Sequence, residues 1–178
     1  MQWVLWNLQY KKTALKNDAA LAAKEWVGAV EDLNSNLALK DAGLVIDAVF
    51  GTGFTGALPP ELCTLFDKIR SKKIPVVAID LPSGLDGTTG NVADGTLNAA
   101  MTVTFSRKKH GHVLLPGKTY CGKVCVADIG VTDKVISDIK TNVFENDIGV
   151  WLKSFPIPKA DGHKYDRGHV TVYGGAKR

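Results

Sequence analysis

Two stretches constrain the fold more than any other part of the chain: LVIDAVFGTGFTGALPP (Leu44 to Pro60) and VVAIDLPSGLDG (Val76 to Gly87). Each is a short, β-branched, nearly continuous apolar run that carries an aspartate and then breaks into glycine. Runs of this kind predict parallel strands buried on both faces. In such sheets ligands bind just beyond the carboxyl ends of the strands, which is where both glycine-containing loops fall. Two loops of this kind from consecutive strands predict a site.

The rest of the chain supplies the elements such a sheet needs. Trp3 to Leu8 (WVLWNL) reads as a strand, and Asn17-Asp18 can cap a helix. Ala19, Ala22, Ala23, Trp26, Val27 and Val30 then fall at i, i+3, i+4, i+7, i+8 and i+11, one apolar stripe on that helix. Asn34 to Gly43 reads as loop and Leu44 to Phe50 as the next strand. Pro59-Pro60-Glu61 opens a second helix, with proline tolerated in the first turn and glutamate suited to the positive end. Leu62, Leu65, Phe66 and Ile69 give its buried face, Lys72 to Pro75 ends it, and Val76 to Asp80 is the following strand. This β-α-β-α-β order dictates crossover connections and a parallel sheet. TVTF (Thr102 to Phe105) and KVCVAD (Lys123 to Asp128) add two strands, with the basic stretch SRKKHGHVLLPGK between them, and Val131 to Ile139 reads as a short helix. Beyond Trp151 the chain turns proline-rich and polar, and HVTVYGG (His169 to Gly175) reads as a strand opening a second domain.

A chain of 178 residues, 45% hydrophobic and 22% charged, suffices for one full domain. Its net charge of +4 suits an anionic small molecule and is too weak to predict a nucleic-acid partner. The start carries no signal-peptide pattern, and no apolar run approaches the ~20 residues of a membrane span. Cys63, Cys121 and Cys125 lack a second ligand pair, so they read as small buried or half-buried thiols, and the expected compartment is the cytoplasm.

Gly51-Thr52-Gly53-Phe54-Thr55-Gly56 matches G-x-G-x-x-G after a strand, with Asp80 about where a Rossmann acid would stand. In a dinucleotide fingerprint the helix begins within the glycines; here Ala57, Leu58 and two prolines intervene. The pattern therefore reads either as a tight glycine turn or as a ligand loop of another kind. Asp47, among Val45, Ile46, Ala48 and Val49, needs a cation, hydrogen-bond donors or a proton if its strand is buried. A structural aspartate bonded to backbone amides is the alternative. Asp80 ends its strand at the ligand edge, Pro82 stiffens the turn, and Ser83 and Gly84 can point into the same space; with Asp47 on the neighbouring strand, the two aspartates predict a shared oxygen-rich pocket, and Asp86 reads as a cap. His110, His112, His163 and His169 lack metal-ligand spacing and read as solvated, as do Lys108 and Lys109 unless a phosphate-bearing ligand recruits a cation.

Together, DAVFGTGFTG, IDLPSGLDG, TVTF, KKHGH, LLPGK and VADIG resemble the NAD(P)H-hydrate epimerase family, the YjeF-type N-terminal domain. The tail DGHKYDRGHVTVYGG is similar to the opening of the ADP-dependent NAD(P)H-hydrate dehydratase domain, to which the epimerase is fused in bifunctional repair enzymes. The resemblance implies an α/β, Rossmann-like three-layer fold with a mostly parallel sheet over residues 1–150. It implies a linker and the start of a ribokinase-like domain over residues 151–178. The implied reaction interconverts the R and S forms of hydrated NADH or NADPH, so that the dehydratase, which uses only S, can clear both. Residues matching Asp47 and Ser83 would hold a potassium ion, one per epimerase site. The loop matching Gly51, Thr52, Gly53, Phe54, Thr55, Gly56 and Ala57 would contact the hydrate together with Asp80, the implied catalytic acid-base. ADP would serve the dehydratase part, whose site is absent here.

The family domain begins with a further strand and a Gly-Asn-Asn-Gly-Gly-Asp-Gly loop; this chain starts at what resembles the second strand, so it reads as a fragment of two enzymes. The implied partners are the hydrated nucleotide, no nucleic acid and no membrane, with a homo-oligomer left open. The competing reading is a non-catalytic ligand-binding or scaffold module of YjeF type, against which the retained Asp47, Asp80 and Ser83 argue. An NAD-dependent dehydrogenase is disfavoured by the prolines and the missing helix start.

Overall fold

The computed structural model describes residues 5–7, 17–27, 30–32, 39, 42–141 and 143–175. The chain forms two compact units, Met1–Val135 and Ile136–Arg178. In the first unit a four-stranded parallel sheet has the order β3 (Val45–Asp47), β4 (Val76–Ile79), β5 (Met101–Phe105) and β6 (Lys123–Ala127), preceded by a parallel pair, β1 (Leu5–Asn7) and β2 (Val30–Asp32). Register runs Asp47↔Ala78, Ile79↔Val103 and Phe105↔Ala127, so the carboxyl ends of the four strands are aligned. This is a Rossmann-like α/β architecture.

Helix α2 (Pro60–Ser71) makes the β3-to-β4 crossover. Proline at its start costs no hydrogen bond, and Glu61 lies at the positive end of the helix dipole. Its face of Leu62, Leu65, Phe66 and Ile69 is buried, as the spacing predicts, and packs with Leu39, Phe54, Leu58, Val76 and Leu97 into the main core. Each such side chain contributes about 1.5–3 kcal/mol by leaving water. A second cluster joins Leu81 and Leu85 of the loop after β4 to Cys121. Cys63, Cys121 and Cys125 are free thiols, and burial pushes Cys121 up to about 11.

The structure corrects several expectations. The first helix, α1 (Asn17–Glu25), ends before Trp26, and Val30 belongs to β2 instead. Trp26, Val27 and Gly28 are weak helix formers, which accounts for the early stop. The predicted stripe is exposed at Ala22, Ala23, Trp26 and Val27. Burial on both strand faces is incomplete: Ile46 of β3 is 54% exposed and Val126 of β6 is 46% exposed. Apolar composition thus marked the strands without guaranteeing a cover on each face. Trp3, Val4 and Leu8 of the first predicted strand, and most of the 34–43 loop, lie outside the described residues.

Helix α3 spans Asp133–Ile139. The second unit holds α4 (Ile148–Trp151), capped by Asp147 accepting from the Gly149 amide at 2.9 Å. His169 to Gly175, predicted as a strand, is not one, and Val170, Val172 and Tyr173 are exposed. A strand needs a hydrogen-bonded neighbour, and none pairs with this segment among the described residues. No helix among the described residues is long and apolar enough to cross a membrane.

Candidate active site

Asp47 closes β3 and is 3% exposed. Its carboxylate is held from the loop after β4: the Ser83 amide donates to Oδ2 at 2.8 Å and the Ser83 hydroxyl to Oδ1 at 2.5 Å. The Val49 amide adds a long bond of 3.4 Å to Oδ1. The same Ser83 oxygen accepts from the Phe50 amide at 2.9 Å, so one hydroxyl ties both loops together. Burial pushes the Asp47 pKa above its ordinary value, and the Ser83 and Val49 hydrogen bonds only partly oppose it. Asp47 is not a member of the ion pairs Arg70–Asp67, Arg107–Asp133 and Lys109–Asp80.

Asp80 follows β4 with φ of +68°, a left-handed conformation that aspartate tolerates better than most residues. Its amide donates to Val103 O at 2.7 Å, which anchors the turn to β5. Oδ1 receives the Thr104 hydroxyl at 2.9 Å and the Lys109 ammonium at 2.6 Å. Oδ2 receives the Thr52 amide of the glycine loop at 3.2 Å. Burial is the largest influence on this carboxyl and raises its pKa, but the opposing hydrogen bonds and the Lys109 charge together hold it below the usual aspartate value.

Gly51 eases this approach, since a Cβ there would lie 3.1 Å from Asp80 Oδ2 and crowd the carboxylate. Thr52, Gly53, Thr55, Gly56 and Ala57 are exposed, whereas the Phe54 ring is buried in the core and packs 5.2 Å from that of Phe50. A cavity of about 240 Å³ opens beside the loop, bordered by Phe54, Gly56, Gly84, Asp86, Asn91 and Val92 among others. Gly84 has φ of +106°, and a Cβ on it would strike Thr96 Oγ1 at 1.9 Å. Asp86 caps its turn as expected, accepting from the Thr88 and Thr89 amides at 2.8 and 2.9 Å.

Three participants escaped the sequence reading. Lys109 and His112 were expected in solvent, yet Lys109 is half-buried against Asp80 and His112 is 3% exposed. His112 Nδ1 accepts from the Lys109 amide at 2.8 Å, and its Nε2 lies 2.7 Å from Asp80 O. A carbonyl can only accept, so Nε2 carries the proton and the imidazole is neutral. Burial foremost, with the Lys109 charge, holds its pKa below the usual histidine value. Thr104, buried in β5, completes the set. The available signal was K-x-x-H shortly after a strand, a spacing at which one tight turn lets the imidazole cap the lysine amide. His110, by contrast, is exposed as expected, as are His163 and His169.

The arrangement therefore offers a buried carboxylate–hydroxyl pair, an ionised carboxylate at a glycine loop, and, beside that loop, a cavity that neither Asp47 nor Asp80 lines. The family described as YjeF-related protein N-terminus matches residues 2–111. A bifunctional NAD(P)H-hydrate repair enzyme Nnr of Moorella thermoacetica is 38% identical over 148 residues, 80% of this chain and 27% of that protein. One of Pyrobaculum aerophilum is 37% identical over 173 residues, 97% of this chain and 30% of its own length. An NAD(P)H-hydrate epimerase of Limosilactobacillus fermentum is 43% identical over 90 residues, 51% of this chain and 43% of its own. The chain thus spans less than half the length of each of these relatives. With more than half of its residues matched, the chain belongs to the YjeF N-terminal family.

Proposed function

We propose that this chain supplies the greater part of an NAD(P)H-hydrate epimerase domain, over residues 1–150, with 151–178 leading into a dehydratase domain. The observation that carries this reading is the placement of Asp80 Oδ2 at the glycine loop, 3.2 Å from the Thr52 amide, while Oδ1 is held by Lys109 and Thr104. The substrate would be hydrated NADH or NADPH, whose diphosphate suits backbone N–H groups approached closely at Gly51, Gly53 and Gly56. The names of the relatives support the same chemistry. Nothing in the site favours the scaffold alternative.

Inversion at one carbon requires loss and return of a hydroxyl. The ring nitrogen lone pair expels the hydroxyl as water once it takes up a proton, leaving a planar iminium. Water then adds to the opposite face and releases a proton, so protons balance over the cycle. Asp80 would deliver and recover that proton, work usually worth ~10²–10⁴ in rate. Its ionised resting form is ready to accept from water. For the other half-reaction, the proton that Asp80 takes from the incoming water is the one it hands to the next departing hydroxyl, while the Lys109 ammonium, 2.6 Å from Oδ1, holds the carboxylate in place.

Asp47 and Ser83 fit a potassium ion in chemistry. Both are oxygen donors, both are buried, and the carboxylate has no cation paired with it among the described residues. When bound, the ion would supply positive charge beside a carboxylate that burial otherwise penalises. The test of the reading is the R-to-S conversion rate of the full-length protein carrying Asp80→Asn. A fall of about a hundredfold or more is expected; a rate within a few-fold of wild type removes Asp80 from the acid-base role.

A further inference from the structure

Asp80 has two oxygens with different surroundings. Oδ1 accepts from Thr104 at 2.9 Å and Lys109 at 2.6 Å. Oδ2 accepts only a long bond of 3.2 Å from Thr52 among the described residues, and it faces the loop at Gly51. The Lys109 ammonium is itself fully engaged. Its three protons meet Asp80 Oδ1, Thr104 Oγ1 at 2.8 Å and Phe105 O at 3.2 Å. A lysine stem is flexible, and this tripod fixes its head.

His112 fixes the other end. Its Nδ1 takes the Lys109 amide proton and its Nε2–H donates to Asp80 O, so a neutral ring staples the main chain of residue 109 to that of residue 80. The result is a closed circuit: Asp80 side chain to Lys109 side chain, Lys109 backbone to His112, and His112 to Asp80 backbone. It holds a residue whose φ of +68° would otherwise relax toward the common region. The charged group facing the Asp80 carboxylate is Lys109, and the group facing its carbonyl is neutral His112.

We propose that Lys109, seated by His112, is a positioning residue for the reaction: it occupies one oxygen of Asp80 so that the other is presented to the glycine loop for proton transfer. This rests on the epimerase reading of the same site. Lys109→Met leaves Oδ1 with the Thr104 hydroxyl alone and removes the facing charge. In the full-length protein it is expected to lower kcat about 10- to 100-fold with KM within threefold, and to move the acid limb of kcat/KM to higher pH. Lys109→Arg, which restores the charge, brings that limb back toward wild type. A Lys109→Met enzyme with kcat within threefold of wild type and an unmoved acid limb overturns the proposal.

A second readout needs no substrate. Carbon-13 NMR of the Asp80 carboxyl in the chain should show a higher titration midpoint in Lys109→Met than in wild type, and an unchanged midpoint overturns the proposal. Lys109→Gln, which keeps a donor without the charge, carries the same two outcomes where the methionine variant does not fold. Failure of wild-type full-length protein to interconvert the R and S hydrates would sink the epimerase reading, while the titration still decides the Lys109–Asp80 arrangement.

Discussion

His112 has both ring nitrogens committed, one as acceptor and one as donor, and this makes the fold sensitive to acid at a definable position. Protonation puts a second N–H on the ring, facing the Lys109 amide, and the bond there is lost. The sign of the effect follows from the depressed folded-state pKa, caused first by burial and then by the Lys109 charge. The unfolded chain takes up the proton more readily, near the ordinary value of about 6.5. The contribution is therefore intact above about pH 6.5 and is lost as pH falls through the lower folded-state value. Denaturant midpoints across pH 7.5 to 4.5 should fall more steeply in wild type than in His112→Gln. Parallel slopes would show that the ring is not the titrating group. The depressed Asp80 pKa acts further down the scale: it favours the fold above the ordinary aspartate range and loses that effect as pH drops below it.

At the scale of elements, α2 positions the loop after β3, because its buried face packs against Phe54 and Leu58 of that loop. Leu62, 1% exposed, is the most deeply buried residue of its face. Leu62→Ala removes its transfer energy and leaves a cavity, a loss of about 2–5 kcal/mol. Urea unfolding reads this as a lower midpoint at unchanged slope, and a loss below about 1 kcal/mol would mean the site collapses around the smaller side chain. This helix was legible because its apolar spacing is local, and β3 and β4 were legible as β-branched runs that soon break into glycine. Strand β2, only Val-Glu-Asp, carries no alternation to read. Lys109 and His112 were opaque for another reason. Their partners on Asp80 lie 29 and 32 residues away in sequence, so a basic stretch that looks solvated is pulled inward by a turn that only the fold brings back over β5. The tail strand failed through the same limit, since composition can propose a strand but not provide its neighbour.

Across the first unit as a whole, the loop after β4 acts as a clamp on the loop after β3 at two points. Ser83 holds Asp47 and the Phe50 amide, and Asp80 holds the Thr52 amide. The clamp leaves a buried carboxylate whose pKa burial pushes up, so its ionised form is penalised in the fold. An alkali ion at Asp47 and Ser83 would remove that penalty and would bind only where both loops are in place. Its affinity then becomes stability of the entire unit: a ligand at a hundred times its Kd adds about 2.7 kcal/mol. Thermal unfolding of the chain in potassium chloride should therefore occur at a higher temperature than in sodium chloride of equal strength, with general salt screening matched between the two. Asp47→Asn should abolish the difference, because the amide oxygen lacks the charge that the ion compensates. Equal melting temperatures of the wild-type chain in the two salts would remove potassium from this pair and leave Asp47 as a structural anchor for Ser83.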